Sequence, residues 1–190
     1  MNRSSAEAMQ AQQAANRSLA PEEILCLGCG FCCDGTLFAS VTLESQEGQQ
    51  AVACKASGLK VGMGSAPLMP QPCCHHQSGH CQVYAQRPTR CHTFRCKLLS
   101  ELIAQDISLG DAQTKVAETR ELRDDVKHGL NRVLPSTRGL PLVVALKGFR
   151  KQAKSLQGAS LARFLGEKRH LVGLKKRLEE RLNQDFYPVT

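Results

Sequence analysis

Apolar and polar positions alternate with different periods in three stretches of this chain. Residues 1–20 are rich in Ala, Gln and Ser and hold no apolar run, which reads as a disordered or frayed leader. In residues 35–43, Leu37, Ala39, Val41 and Leu43 alternate with more polar neighbours, the period of a half-buried strand. Pro67, Pro70, Pro72 and several glycines interrupt any long element between residues 58 and 72. Beyond Lys97 the period becomes helical. Ser108 and Asp111 have the form of a capping box, and Val116, Leu122, Val126, Leu130 and Val133 follow at helical spacing. Pro135 stops that helix, and Pro141 opens another that buries Leu142, Leu146 and Phe149. Ser160 reads as the cap of a last helix, with Leu161, Phe164, Leu165, Leu171, Leu174, Leu178 and Leu182 on one stripe.

These patterns predict an α+β protein without internal repeats. Residues 1–20 form the leader, residues 21–99 a small domain of loops and short strands, read below from its cysteines as metal-stapled, and residues 100–190 a helical C-terminal region.

Composition sharpens the middle stretch. Aromatic residues make up only 4% of the chain and Trp is absent, so the large rings that usually fill a core are scarce. All ten cysteines fall between Cys26 and Cys96. A secreted disulfide framework calls for a signal peptide, and the first residues have no apolar core segment. No stretch approaches the roughly 20 apolar residues of a membrane span. The expectation is a cytoplasmic protein off the membrane, in which dense cysteine means metal or redox chemistry.

The first cluster reads Cys26-Leu-Gly-Cys29-Gly-Phe-Cys32-Cys33. A C-x2-C turn places two sulfurs on one side of a tight loop, and Gly28 and Gly30 let the chain curl around a shared cation. C-x2-C-x2-C opens a bacterial ferredoxin run, but the expected fourth cysteine is missing here and must come from elsewhere. The second cluster supplies candidates: Cys73, Cys74, Cys81, Cys91 and Cys96, interspersed with His75, His76, His80 and His92. Those histidines read more simply as solvated loop residues. Tyr84, Arg87 and Pro88 read as structural, with Arg87 or Arg90 placed to donate hydrogen bonds toward thiolates or a helix end.

These residues resemble the YkgJ-like cysteine-cluster family, also called CxxCxxCC and described as zinc- or iron-chelating. The matching stretches are residues 26–33, Gln71-Pro72-Cys73, Cys81-Gln-Val-Tyr84, Arg87-Pro88 and Cys91-His-Thr-Phe94-Arg-Cys96. The resemblance implies a metal- or cluster-binding domain over residues 26–99. Its ligand set would be Cys26, Cys29, Cys32, Cys33, Cys73, Cys81, Cys91 and Cys96, with Tyr84 and Arg87 behind them. Cys54 and Cys74 fall outside that pattern and read as ordinary free thiols. His92 stands where the family often has Arg. Eight ligands allow two four-thiolate sites, or one site beside reactive cysteines, with an iron–sulfur cluster or Zn2+ as the cofactor.

Charge adds a rival reading. The formal net charge is +8, although eight thiolates around two dications would contribute about four negative charges and roughly halve it. Between Lys147 and Arg181, eleven Lys and Arg face only Glu167, Glu179 and Glu180. These basic helices suit an acidic protein or nucleic acid, but no aromatic residues interleave to stack bases. Three functions follow: a metal-binding protein with redox or sensing work, a cluster-dependent redox or group-transfer enzyme, or a zinc-stapled nucleic-acid-binding module. Against the enzyme, the chain has no glycine-rich nucleotide loop and no C-x3-C-x2-C run.

Overall fold

The computed structural model describes residues 19–47 and 67–188. Most of the leader, and Cys54, lie outside them. Seven helices and two antiparallel two-stranded sheets make up the regular structure of the described residues, an α+β arrangement. The helices are α1 (Pro21–Cys29), α2 (Thr89–Thr93), α3 (Lys97–Ile103), α4 (Leu109–Val133), α5 (Leu142–Lys154), α6 (Gly158–Glu167) and α7 (Arg169–Asp185). Strand β1 (Ser40–Thr42) pairs with β2 (Leu68–Pro70), Val41 opposite Met69. Strand β3 (His76–Gln77) pairs with β4 (His80–Cys81) as a hairpin, His76 opposite Cys81.

Local chemistry accounts for where these elements begin. Pro21 pre-sets φ for the first turn of α1, and the Ala20 amide donates to Glu23 Oε2 at 3.0 Å. Ser108 Oγ accepts from the Asp111 amide at 3.1 Å and donates to Asp111 Oδ2 at 2.6 Å, starting α4 where the capping-box pattern places it. Pro135 follows the end of α4 inside a 3-10 turn, and α5 begins directly after Pro141.

Three expectations need correction. The extended stretch of residues 35–43 pairs only over Ser40–Thr42. Its beginning is held in a turn, where Asp34 Oδ1 accepts from the Thr36 amide at 2.8 Å and the Leu37 amide donates to the Phe31 carbonyl at 3.0 Å. The last helix is two helices broken at Lys168, and Ser160 lies inside α6 while Gln157 occupies the cap. Its leucine stripe divides between two neighbours. Phe164 packs on Phe149 of α5 with ring centroids 5.4 Å apart, whereas Leu171, Leu174, Leu178 and Leu182 are buried in α7, which packs along α4. The first two cysteines, read as loop residues, occupy the last turns of α1.

The main core joins the cysteine-bearing segment to the helices. Leu25, Phe31 and Leu37 are buried with Leu98, Leu99, Val116, Val126, Leu130, Leu178 and Phe186. Phe31 lies in the middle of the first cysteine cluster, is fully buried and meets Phe186 edge-on at 5.1 Å. Buried Asp185 pairs with Lys115 at 2.8 Å, tying the end of α7 to α4. The second core is small: Leu43, Met69 and Cys73 are buried, with Cys33, Val41, Cys74 and Cys91 packed against them. At about 1.5–3 kcal/mol per large apolar side chain, it does little to order the loops of the second cluster. No helix among the described residues is long and apolar enough to cross a membrane.

Gly30 ends α1 at φ 71°, and a Cβ there would meet His76 Nε2 at 2.7 Å. Gly28 lies inside α1 with nothing within 4 Å of a Cβ. Gly30→Ala is therefore expected to lower unfolding free energy by about 1–2 kcal/mol, and Gly28→Ala to leave it unchanged or raise it by up to about 1 kcal/mol. Denaturant titration of the two variants checks the contrast.

Candidate metal centre

The two cysteine clusters of the sequence do not stay apart in space. Cys26 and Cys29 lie three residues apart on α1, Cys32 follows in the turn after Gly30, and Cys96 caps α3. Burial pushes the thiols of Cys29 and Cys96 up to about 12 and about 11. The charge of Cys96 bears on Cys29, and that of Cys26 on both. Cys32 is driven well above the ordinary thiol value by burial and then by Cys29, Cys96, Cys33 and Cys26. By these charge couplings Cys26, Cys29, Cys32 and Cys96 group together, a first candidate quartet.

Cys33, adjacent to Cys32 and bearing on it, is itself coupled chiefly to other sulfurs. Burial raises its thiol, followed by the charges of Cys73, Cys81 and Cys91. Cys73 is raised by burial and feels Cys81, while Cys91 is pushed up to about 11 by burial and then by Cys73 and Cys81. Cys33 leaves the same turn as Cys32, Cys81 ends the β3–β4 hairpin, and Cys91 sits in α2. The Cys73 amide donates to the Cys33 carbonyl at 2.7 Å, fastening the two chain segments of this second quartet. All eight thiols are free. Cys74 is disulfide-bonded, so it is not the free thiol its position in sequence suggested.

Polar groups converge on these sulfurs. The Phe31 amide donates to Cys29, the Leu99 amide to Cys96 at 3.4 Å, and the amides of His75 and His76 to Cys73. The Tyr84 hydroxyl hydrogen-bonds Cys26. Arg87 lies 3.8 Å from the centroid of the Tyr84 ring, and its charge draws down both Cys26 and Cys91, one from each quartet. Each of these contacts favours a thiolate over a thiol. Burial nevertheless wins at every resolved sulfur, because a buried thiolate lacks a compensating cation. A bound metal would supply that charge, so the chemistry of the donor set fits thiolate ligation. Among the described residues, no three or more His, Cys, Asp or Glu side chains are arranged to hold a single metal ion.

The histidines divide. His80 and His92 are exposed, as solvated loop residues are, whereas Nε2 of His75 and of His76 is buried without a hydrogen-bond partner. Two arginines of α4 were not singled out by the cysteine pattern. Arg120 donates to the carbonyls of Gly28 and Cys29, at 3.3 Å for the latter, and Arg123 pairs with Asp34 while lying 5.3 Å from the Phe31 ring centroid. They clamp the first cluster onto the helical core. Their spacing on a helix otherwise read only for its apolar stripe was the available signal.

No family model, curated protein or solved structure matches this chain.

The raised thiols make the metal-free protein sensitive to alkali. A thiol with a higher pKa in the folded state contributes stability below its unfolded value, near 9.0, and loses it as pH rises through the folded value. Metal-stripped, reduced protein is thus expected to lose stability between pH 9 and about 12, and the metal-loaded form to show no such loss in that window. Denaturant midpoints measured across that range check it.

Proposed function

We propose that this is a metal-binding protein of the CxxCxxCC type, holding two iron–sulfur clusters in separate four-cysteine sites and serving a redox or sensing role. The carrying observation is the sorting of eight free thiols into Cys26, Cys29, Cys32 and Cys96 on one side and Cys33, Cys73, Cys81 and Cys91 on the other. A set of four cysteines is the donor complement of an iron–sulfur cluster and equally of a structural zinc. The cluster is preferred because Cys26, Cys29 and Cys32 come from one short run, the opening of a ferredoxin-type cluster loop. A cluster held there supplies one-electron chemistry; zinc would supply folding energy alone. Arg87 and Tyr84 would tune either group through the sulfurs they face.

The eight free thiols suit a reducing compartment and hence the cytoplasm, while the Cys74 disulfide points the other way. The nucleic-acid reading gains little support. Glu167, Glu179 and Glu180 each pair with basic neighbours, among them Lys175 at 2.7 Å and Arg163 at 2.9 Å, which spends part of the positive surface within the protein.

Anaerobic purification followed by metal, acid-labile sulfide and visible-absorption analysis tests the proposal. Brown protein with iron and sulfide is expected; a colourless protein with two zinc ions would replace the cluster reading, and a metal-free one would end both. Cys96→Ser and Cys73→Ser should each leave about half the metal, and the double variant almost none. Unchanged metal in the double variant would contradict the ligand assignment.

A further inference from the structure

Beside the first quartet lies a cavity of about 480 Å3 lined by Gly28, Cys29, Asp34, His76, Gly79, His80, Arg120, Arg123 and Lys127. Its basic wall comes from one helix: Arg120, Arg123 and Lys127 stand at i, i+3 and i+7 along α4, so their side chains share a face. Asp34 is the one acid in the lining and pairs with Arg123, their side chains 14% and 12% exposed; Asp124, outside the lining, also pairs with Arg123 at 2.9 Å. Arg120 and Lys127 are left as surplus. Arg120 spends Nη2 on the Gly28 and Cys29 carbonyls, and no hydrogen bond involving its Nη1 is formed among the described residues. Lys127 is half-buried and has neither hydrogen bond nor ion pair among those residues. A partly desolvated ammonium without a partner is unfavourable, and an anion in the cavity would remove that cost. Elsewhere in the lining, Gly28 and Gly79 present no side chain, and His76 carries a buried Nε2 without a partner.

We propose that this cavity binds a dianionic phosphate group, as the free anion or as the ester of a small molecule, with Arg120 and Lys127 as its charged contacts. Arg120 and Lys127, the two cavity cations without an acid partner, suit a dianion, and the volume exceeds what a bare phosphate fills. The site stands on α4 and the cavity, independently of what occupies the cysteine quartets.

Calorimetric titration of inorganic phosphate into the protein as purified, at low ionic strength, tests it. Because Arg120 also clamps the cysteine loop, Lys127 carries the test. Saturable binding is expected, weakened about tenfold or more by Lys127→Gln, largely retained by Lys127→Arg, and unaffected by Lys147→Gln on the exposed face of α5. A parallel titration with glycerol 3-phosphate separates the two sources: tighter binding of the ester assigns the remaining volume to an organic moiety, and equal binding assigns the site to the free anion. Absence of saturable binding of either probe would overturn the proposal. So would equal losses in Lys127→Gln and Lys147→Gln, which mark diffuse charge. A Lys127→Gln variant with altered metal retention but unaltered phosphate affinity would make Lys127 a counter-charge for the thiolates, and would overturn it as well.

Discussion

Burial of thiols without a compensating positive charge is the constraint around which this protein is organised. Seven of the eight free cysteines have thiols raised by burial, against amide and hydroxyl donors that favour the thiolate. Donors and burial pull in opposite directions, and the proposed bound cation would reconcile them. The same balance would account for how a chain with so few aromatic residues organises its N-terminal half. The second core, built on Leu43, Met69 and Cys73, is too slight to order the surrounding loops by apolar burial alone.

The turn after Gly30 is where the two quartets meet. Successive residues Cys32 and Cys33 couple mainly to different sulfurs, and the amide of Cys33 donates to the Gly30 carbonyl at 2.8 Å. Between Cys29 and Cys32, Phe31 anchors in the main core against Phe186. Arg120 and Arg123 hold the flanking backbone and Asp34 from α4. The helical region is therefore the rigid support of the cysteine segment, and apolar packing sets where the sulfurs of the first quartet lie. The second quartet depends more on hydrogen bonds, such as that from Cys73 to Cys33, and on whatever its thiols bind. On the proposed two-site reading, this asymmetry would make the first site the better preorganised of the two.

Much of the helical half was legible because it follows local rules. The Ser108 cap, the stripe from Val116 to Leu130 and the Pro141 start are signals carried within a few residues of each other. The break at Lys168 was not, because the leucine stripe runs through it and only the choice of neighbour, α5 for Phe164 and α4 for Leu171 onward, divides it. The strand signal was genuine but overlong, since an Asx turn at Asp34 competes with pairing. Cysteine content and spacing marked the candidate site residues, and the incomplete C-x2-C-x2-C run pointed to a further ligand from the second cluster. Which cysteine couples with that run, Cys96 by its charge, depends on how α1, α2 and α3 pack and is not written in the spacing. The clamp from α4 was hidden for the same reason: Arg120 and Arg123 are some ninety residues from the backbone they hold.

The central claim is that the sulfurs act in two independent sets of four. Stepwise chelation of the protein, with alkylation of exposed thiols and mass spectrometry at each step, measures this directly. The account predicts that protection is lost in two groups, Cys26, Cys29, Cys32 and Cys96 together and Cys33, Cys73, Cys81 and Cys91 together, the latter first. Cysteines that react freely before any chelator is added, or lose protection in groups that mix the two sets, would contradict it.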